Sequence, residues 1–184
     1  MSSGDASDDP NILRGAVIFD RDGVLNRDVG YACRADQIEW VEGAMEAVKT
    51  VNDAGLFAFV ATNQSGVARG YYSERDVEAL HLWMNGELAK HGARIDAFAY
   101  CPHHVDGTVK RYARACDRRK PGPGMILDLM DRFPVDPARA LMIGDKASDM
   151  AAAKAAGIAG VLFEDGSLLE ALTPHLPALA EAGD

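Results

Sequence analysis

Three short apolar runs constrain the fold more than any other feature: AVIF at 16–19, LFAFVATN at 56–63 and ALMIGD at 140–145. None alternates apolar with polar residues, so each reads as a strand buried on both faces rather than a half-exposed antiparallel one. Strands covered on both faces need helices on both faces, and the intervening segments supply them. Residues 43–54 place Ala44, Val48 and Val51 at helical spacing and stop before Gly55. Ser73 and Asp76 form a capping-box pattern ahead of the stripe Val77, Leu80, Met84 and Leu88, which ends before Gly92. Further on, the pattern predicts a strand at 95–101 and a helix at 124–132 entered through Pro121 and Pro123. The strand at 141–143, an alanine-rich helix at 148–156 closed by Gly157, and a last strand at 158–163 follow. Pro174 and Pro177 divide the C-terminal helical composition into two short pieces. The alternation defines an α/β chain with a doubly wound parallel sheet, in which ligands bind beyond the carboxyl ends of the strands.

The 184 residues, 48% of them hydrophobic, suit one domain over 13–184 preceded by a disordered, polar tail over 1–12. A formal net charge of -9 argues against a nucleic-acid or anionic-membrane surface, while leaving room for a local basic pocket. No signal pattern or bilayer-length apolar run is present, and three cysteines are too few for a disulfide scaffold, so a cytoplasmic, reducing location and a monomer are expected.

Chemistry collects at the strand ends. Asp20 and Asp22 follow the first run, Thr62 and Asn63 the second, and Asp145 and Lys146 the third. In extended backbone, residues two apart face one side, so Asp20 and Asp22 can address one ligand. Crowding two carboxylates there opposes folding unless something positive relieves it. Taken singly, each acid could be solvated or pair with Arg21. Together with Asp145, Lys120 and Lys146 they match a hard-cation site that shares its ion with phosphate oxygens, as Mg²⁺ sites do.

DRDGVLN, TNQSGVARG, RKPGPGM and GDKASDM resemble the four signature motifs of the haloacid dehalogenase superfamily of phosphatases. Their long forms, with CPHH, look like the D-glycero-D-manno-heptose 1,7-bisphosphate phosphatase family, over about residues 17–160. The resemblance implies a Rossmann-like fold without a separate cap domain. It also implies a Mg²⁺-dependent phosphatase working through an aspartyl-phosphate, with a small sugar bisphosphate as substrate, in the synthesis of nucleotide-activated heptose for surface polysaccharide. Carried over by position, Asp20 is the nucleophile and Asp22 the general acid and base. Thr62 and Lys120 hold the transferring phosphoryl group, and Asp20, Asp22 through its carbonyl, and Asp145 hold Mg²⁺. Asp28, Tyr31, Asn63, Gln64, Ser65, Arg119 and Lys146 meet the substrate.

The same family places a structural zinc on Cys, His and Cys-x-Cys. Here Cys101, His103 and Cys116 match, but the fourth position is Arg118, whose guanidinium has no lone pair to give. Zinc would need three ligands, or a substitute such as His104 or Asp117. Alternatives remain open: a histidinol-phosphate or other small sugar-phosphate phosphatase of the same superfamily, a phospho-acceptor signalling domain, or a non-catalytic interaction domain. Asp22 argues against the phospho-acceptor, because an acid there equips the site for turnover.

Overall fold

Phe19, Val60 and Ile143 lie in register on three neighbouring strands and are fully buried, and the strands they belong to set the frame of the molecule. The computed structural model describes residues 12–180. Five parallel strands run β1 (Arg14–Phe19), β2 (Phe57–Asn63), β3 (Ala97–Cys101), β4 (Val135–Gly144) and β5 (Ala159–Leu162), in the spatial order β3-β2-β1-β4-β5. The strands lack polar alternation because both faces are covered. Val17, Phe19, Val60 and Leu141 pack against α1 (Ala44–Asp53), α2 (Glu74–Lys90), α5 (Leu168–Leu172) and α6 (Leu176–Ala180). Ile18, Phe59 and Met142 pack on the other side against α3 (Gly124–Arg132) and α4 (Ala147–Ala156).

The helix signals act as the sequence predicts. The Ser73 hydroxyl accepts from Asp76 N at 3.2 Å, while the Asp76 carboxylate accepts from Ser73 N at 2.7 Å. Gly157 closes α4 in the left-handed region at φ 76°. The C-terminal segment forms two short helices joined by a 3-10 turn at Thr173–His175 that contains Pro174.

Three strand boundaries differ from expectation, each for a local reason. β3 starts at Ala97 rather than Ile95 because the Asn85 side chain of α2 takes both backbone groups of Ile95, at 2.8 and 3.0 Å. β5 starts after Ile158, whose N–H donates to Ala153 O in closing α4. β4 begins as early as Val135, paired with Arg14, and Pro137 is accommodated where the β1–β4 register shifts.

The long connections after β1, β2 and β3 contain loops and one short 3-10 turn at Ala35–Gln37, so among the described residues no cap domain stands over the sheet. No helix among them is long and apolar enough to cross a membrane. The tail expected at 1–12 lies, except for Ile12, outside the described residues.

Candidate active site

The strand order turns back between β1 and β4, so the carboxyl ends of β1, β2 and β4 open into one crevice. Asp20 continues β1 through a bond from its N–H to Ile143 O at 2.9 Å. Its Oδ1 accepts from Arg21 N at 2.7 Å and lies 2.9 Å from Lys120 Nζ. Oδ2 has neither kind of partner among the described residues, so one oxygen is anchored and the other is left for a ligand. Burial pushes the Asp20 carboxyl up to about 6, against the pull of the Lys120 ammonium, and the Asp149 and Asp22 charges add to the rise.

Lys120 is nearly enclosed. Its ammonium contacts Asp20, Asp149 at 2.6 Å and the Ala61 carbonyl at 2.8 Å. Its backbone is clamped by Asn63, which donates to Lys120 O and accepts from Lys120 N, both at 3.0 Å. Asn63 therefore fixes the approach of Lys120 from β2.

Asp22 is held by a polar network. Arg21 binds both its oxygens at 3.0–3.2 Å, Asn26 donates to it at 3.0 Å and Gln64 at 3.0 Å. The pairing with Arg21 that each acid could make singly is thus realised, by Asp22 alone. Gln64 also donates to Thr62 Oγ1 at 2.9 Å and accepts from Tyr72 at 2.7 Å, so it ties the β2 end to Asp22. Arg21 is fully buried. It reaches the Ala32 carbonyl at 2.7 Å and His81 Nε2 at 3.4 Å. His81 stacks on Phe98, and burial together with the nearby Arg21 charge pushes its pKa down to about 3, so the ring is neutral.

Asp145 stands at the end of β4 with Oδ1 buried and without a hydrogen-bond partner among the described residues, and burial raises its carboxyl above the usual range. One oxygen each of Asp20, Asp145 and Asp149 lies within 4.8 Å of the others. An orphaned carboxylate oxygen in a cluster of acids suits a hard divalent cation. Gly23 makes room for this arrangement: it sits at φ 90°, and a side chain there would collide with the Asp145 carboxylate.

A cavity of about 560 Å³ opens at Asp20 and Asp149. Asp20, Asp22, Thr62, Asn63, Gln64, Ser65 and Lys120 line it. Asp28, Tyr31, Arg119 and Lys146 line it as well. Asp28 receives Lys146 Nζ at 3.2 Å and Gly30 N at 3.0 Å. Tyr31 adopts φ 54°, rare for a residue with a side chain, and its ring meets Tyr71 edge-on at 4.8 Å. Sequence reasoning missed Asp149, Arg21 as a clamp, Asn26, Tyr72 and His81. Asp149 was within reach, since it lies four residues past Asp145 in GDKASDM; it caps α4 at Lys146 N and pairs with Lys120.

Cys101, His103 and Cys116 converge, each offering a donor atom within 4.8 Å of the others, with Cys101 Sγ 3.8 Å from His103 Nδ1. Burial pushes the Cys101 thiol up to about 11. No fourth ligand joins them among the described residues. Arg118 turns to Asp128 at 3.3 Å, His104 Nδ1 accepts from Asp106 N at 3.1 Å, and Asp117 is not in the cluster. Structural zinc sites are closed by four protein ligands, so this trio does not complete one.

Comparison with known proteins gives the same assignment from sequence similarity. A family model described as HAD-hydrolase-like matches residues 117–181. A D-glycero-beta-D-manno-heptose-1,7-bisphosphate 7-phosphatase of Rhodopseudomonas palustris is 54% identical over 82% of this chain and 84% of its own length. The enzyme of that name from Escherichia coli K12 is 42% identical, over 78% of this chain and 75% of its own. The crystal structure of a D,D-heptose 1,7-bisphosphate phosphatase from B. bronchiseptica, complexed with magnesium and phosphate, superposes with a TM-score of 0.73 at 35% identity, covering 87% of this chain and 86% of that one. The chain belongs to the heptose-1,7-bisphosphate 7-phosphatase family of HAD-like hydrolases, and is a phosphoric monoester hydrolase.

Proposed function

We propose that the chain, acting as one catalytic domain, removes the 7-phosphate of D-glycero-D-manno-heptose 1,7-bisphosphate, with Mg²⁺ as cofactor and Asp20 as nucleophile. The observation that carries this reading is the half-anchored Asp20 carboxylate, with Oδ1 on Lys120 and Arg21 N and Oδ2 without a partner among the described residues, clustered with an Asp145 carboxylate that has an unpaired oxygen among them. The names of the relatives support the substrate, and the magnesium and phosphate of the B. bronchiseptica structure support the cofactor. The same names support the β anomer.

Asp20, Asp145 and the Asp22 backbone carbonyl would hold the ion, which supplies positive charge to the phosphoryl oxygens. Lys120 supplies a second cation and Thr62 a hydroxyl donor to the same oxygens. An Asp20 oxygen attacks phosphorus, the bond from phosphorus to the sugar oxygen breaks, and Asp22 protonates the departing alkoxide. Water then attacks the aspartyl-phosphate, Asp22 takes its proton, and inorganic phosphate leaves as the Asp20 carboxylate reforms. Arg21 and Gln64 keep Asp22 aimed through both steps. Arg119, Lys146 and Tyr31 stand where the remainder of the substrate extends, and the planar fork of Arg119 suits a second phosphate. A bacterial cytoplasmic setting accords with a chain lacking a membrane-crossing helix among its described residues.

The test is a substrate panel with wild type and Asp20→Asn. Heptose bisphosphate, β over α, should be turned over fastest, a rapid-quench sample should carry one phosphoryl group on the peptide containing Asp20, and the variant should do neither. Faster hydrolysis of histidinol phosphate would reject the substrate, and an active Asp20→Asn protein would reject the mechanism.

A further inference from the structure

A second cavity, of about 640 Å³, lies under the outer side of the 102–119 loop and shares no lining residue with the catalytic cavity. Arg111, Arg114 and Arg118 line it with Tyr100, Tyr112 and one carboxylate, Glu74. Both of its oxygens meet phenol hydroxyls: Tyr112 donates to one, and Tyr100 lies 2.9 Å from the other while also lying 2.9 Å from Glu78. Arg118 pairs with Asp128 at 3.3 Å, outside the cavity lining, while Arg111 and Arg114 form no salt bridge among the described residues. Arg111 instead lies 4.7 Å over the Tyr112 ring.

The local charge runs against the rest of the chain. Residues 101–120 hold six of the chain's 19 lysines and arginines and only two acids, in a protein of net charge -9. A surface that needed cations only for solubility would scatter them. Here Arg111 and Arg114, without a salt bridge among the described residues, join Arg118 around one concavity that holds a single carboxylate, so positive charge is in excess there and suits an anion.

We propose that this cavity binds a small phosphate-bearing molecule, at a site separate from the one where phosphate is removed. Arginine forks match pairs of phosphate oxygens, the tyrosine rings offer a flat wall to the remainder of the ligand, and the volume admits a mononucleotide or sugar phosphate. The ligand would touch Arg118 on one side of a loop whose next residue, Arg119, faces the catalytic cavity. The inference stands without the proposed substrate, because none of its residues belongs to the phosphoryl-transfer set.

Amide NMR of the full chain, titrated separately with inorganic phosphate and with adenosine monophosphate, tests it. With at least one probe, the amides of Arg111, Tyr112 and Arg114 should shift with a midpoint of their own, distinct from that of Asp22, Gln64 and Lys120. In an Arg111→Ala/Arg114→Ala variant the first midpoint should weaken by roughly tenfold or more while the second stays put. Phosphate alone would identify the free anion as the ligand, and adenosine monophosphate alone an organic ester. Loop amides that stay still with both probes, that follow the active-site midpoint, or that respond equally in the double variant would overturn the proposal.

Discussion

Lys120 Nζ lies 2.6 Å from the Asp149 carboxylate, a contact that joins the loop ahead of α3 to the first turn of α4. Both side chains are buried, and the same ammonium reaches Asp20. A buried lysine between two carboxylates has its direction fixed by the one that does not react. Asp149→Asn keeps the α4 cap but removes the charge that holds Lys120 against the phosphoryl site. The expected result is a fall in kcat on the order of a hundredfold, with KM changing much less. Steady-state kinetics over a range of Mg²⁺ concentrations check this; a drop that disappears at saturating Mg²⁺ would assign Asp149 to the metal instead.

Arg21 carries the next prediction. Its buried guanidinium compensates Asp22 and bonds Ala32 O, Gln64 and His81 at once. Arg21→Met leaves Asp22 without its counter-charge and the Ala32 carbonyl without the guanidinium, so unfolding should become easier by about 3–5 kcal/mol, read from urea denaturation. Arg21→Lys retains the charge but not the fork. It should recover part of the stability while kcat remains low, because a point charge cannot hold both oxygens of Asp22.

His81 should make folding acid-sensitive. Unfolded, it takes up a proton near its ordinary value of 6.5; folded, burial and Arg21 hold it down to about 3. The unfolded chain therefore binds more protons in between, and the stability from this residue, complete above 6.5, is lost as pH falls toward 3. Asp20 has the opposite sign: its carboxyl is raised, so its contribution is present below its ordinary value and is lost as pH rises through about 6. Comparing wild type with His81→Gln isolates the histidine. Their difference in unfolding free energy should shrink by about 2 kcal/mol between neutral pH and about pH 5. A constant difference would mean that the folded ring takes up its proton over the same pH range as the unfolded one.

How much of this was legible in the sequence depended on whether the signal was local. The apolar runs required a sheet covered on both faces, because Val17 and Ile18 must each find a helix layer. The strand-end acids Asp20, Asp22 and Asp145 were legible for the same reason, since their position relative to those runs fixes the edge they share. His81 was not. It interrupts an α2 stripe as an ordinary core residue would, and only the fold brings it to Arg21, sixty positions away. Gln64 was legible as a site residue but not as a clamp, because its partners Asp22 and Tyr72 come from different connections. The starts of β3 and β5 failed similarly, as backbone groups of Ile95 and Ile158 were taken by neighbouring helices.

The incomplete thiol and imidazole trio leads to a gain-of-function prediction. Zinc bonds of about 2.3 Å to sulfur and about 2.1 Å to nitrogen put tetrahedral donors about 3.6 Å apart. The 3.8 Å separation of Cys101 Sγ and His103 Nδ1 is close to that, so two corners are already near their places, with the Cys116 donor within 4.8 Å of both. What stands at the fourth sequence position is a cation paired with Asp128, which offers no lone pair and adds positive charge beside the trio. Arg118→Cys reverses both effects. The variant should purify with close to one zinc per chain and melt at a higher temperature with zinc than after chelation. Wild type should carry much less metal and show little response to a chelator. Metal analysis by mass spectrometry and thermal melts of both proteins decide the matter. A full zinc equivalent in wild type would mean that three protein ligands suffice here; none in the variant would mean that residue 118 does not face the trio.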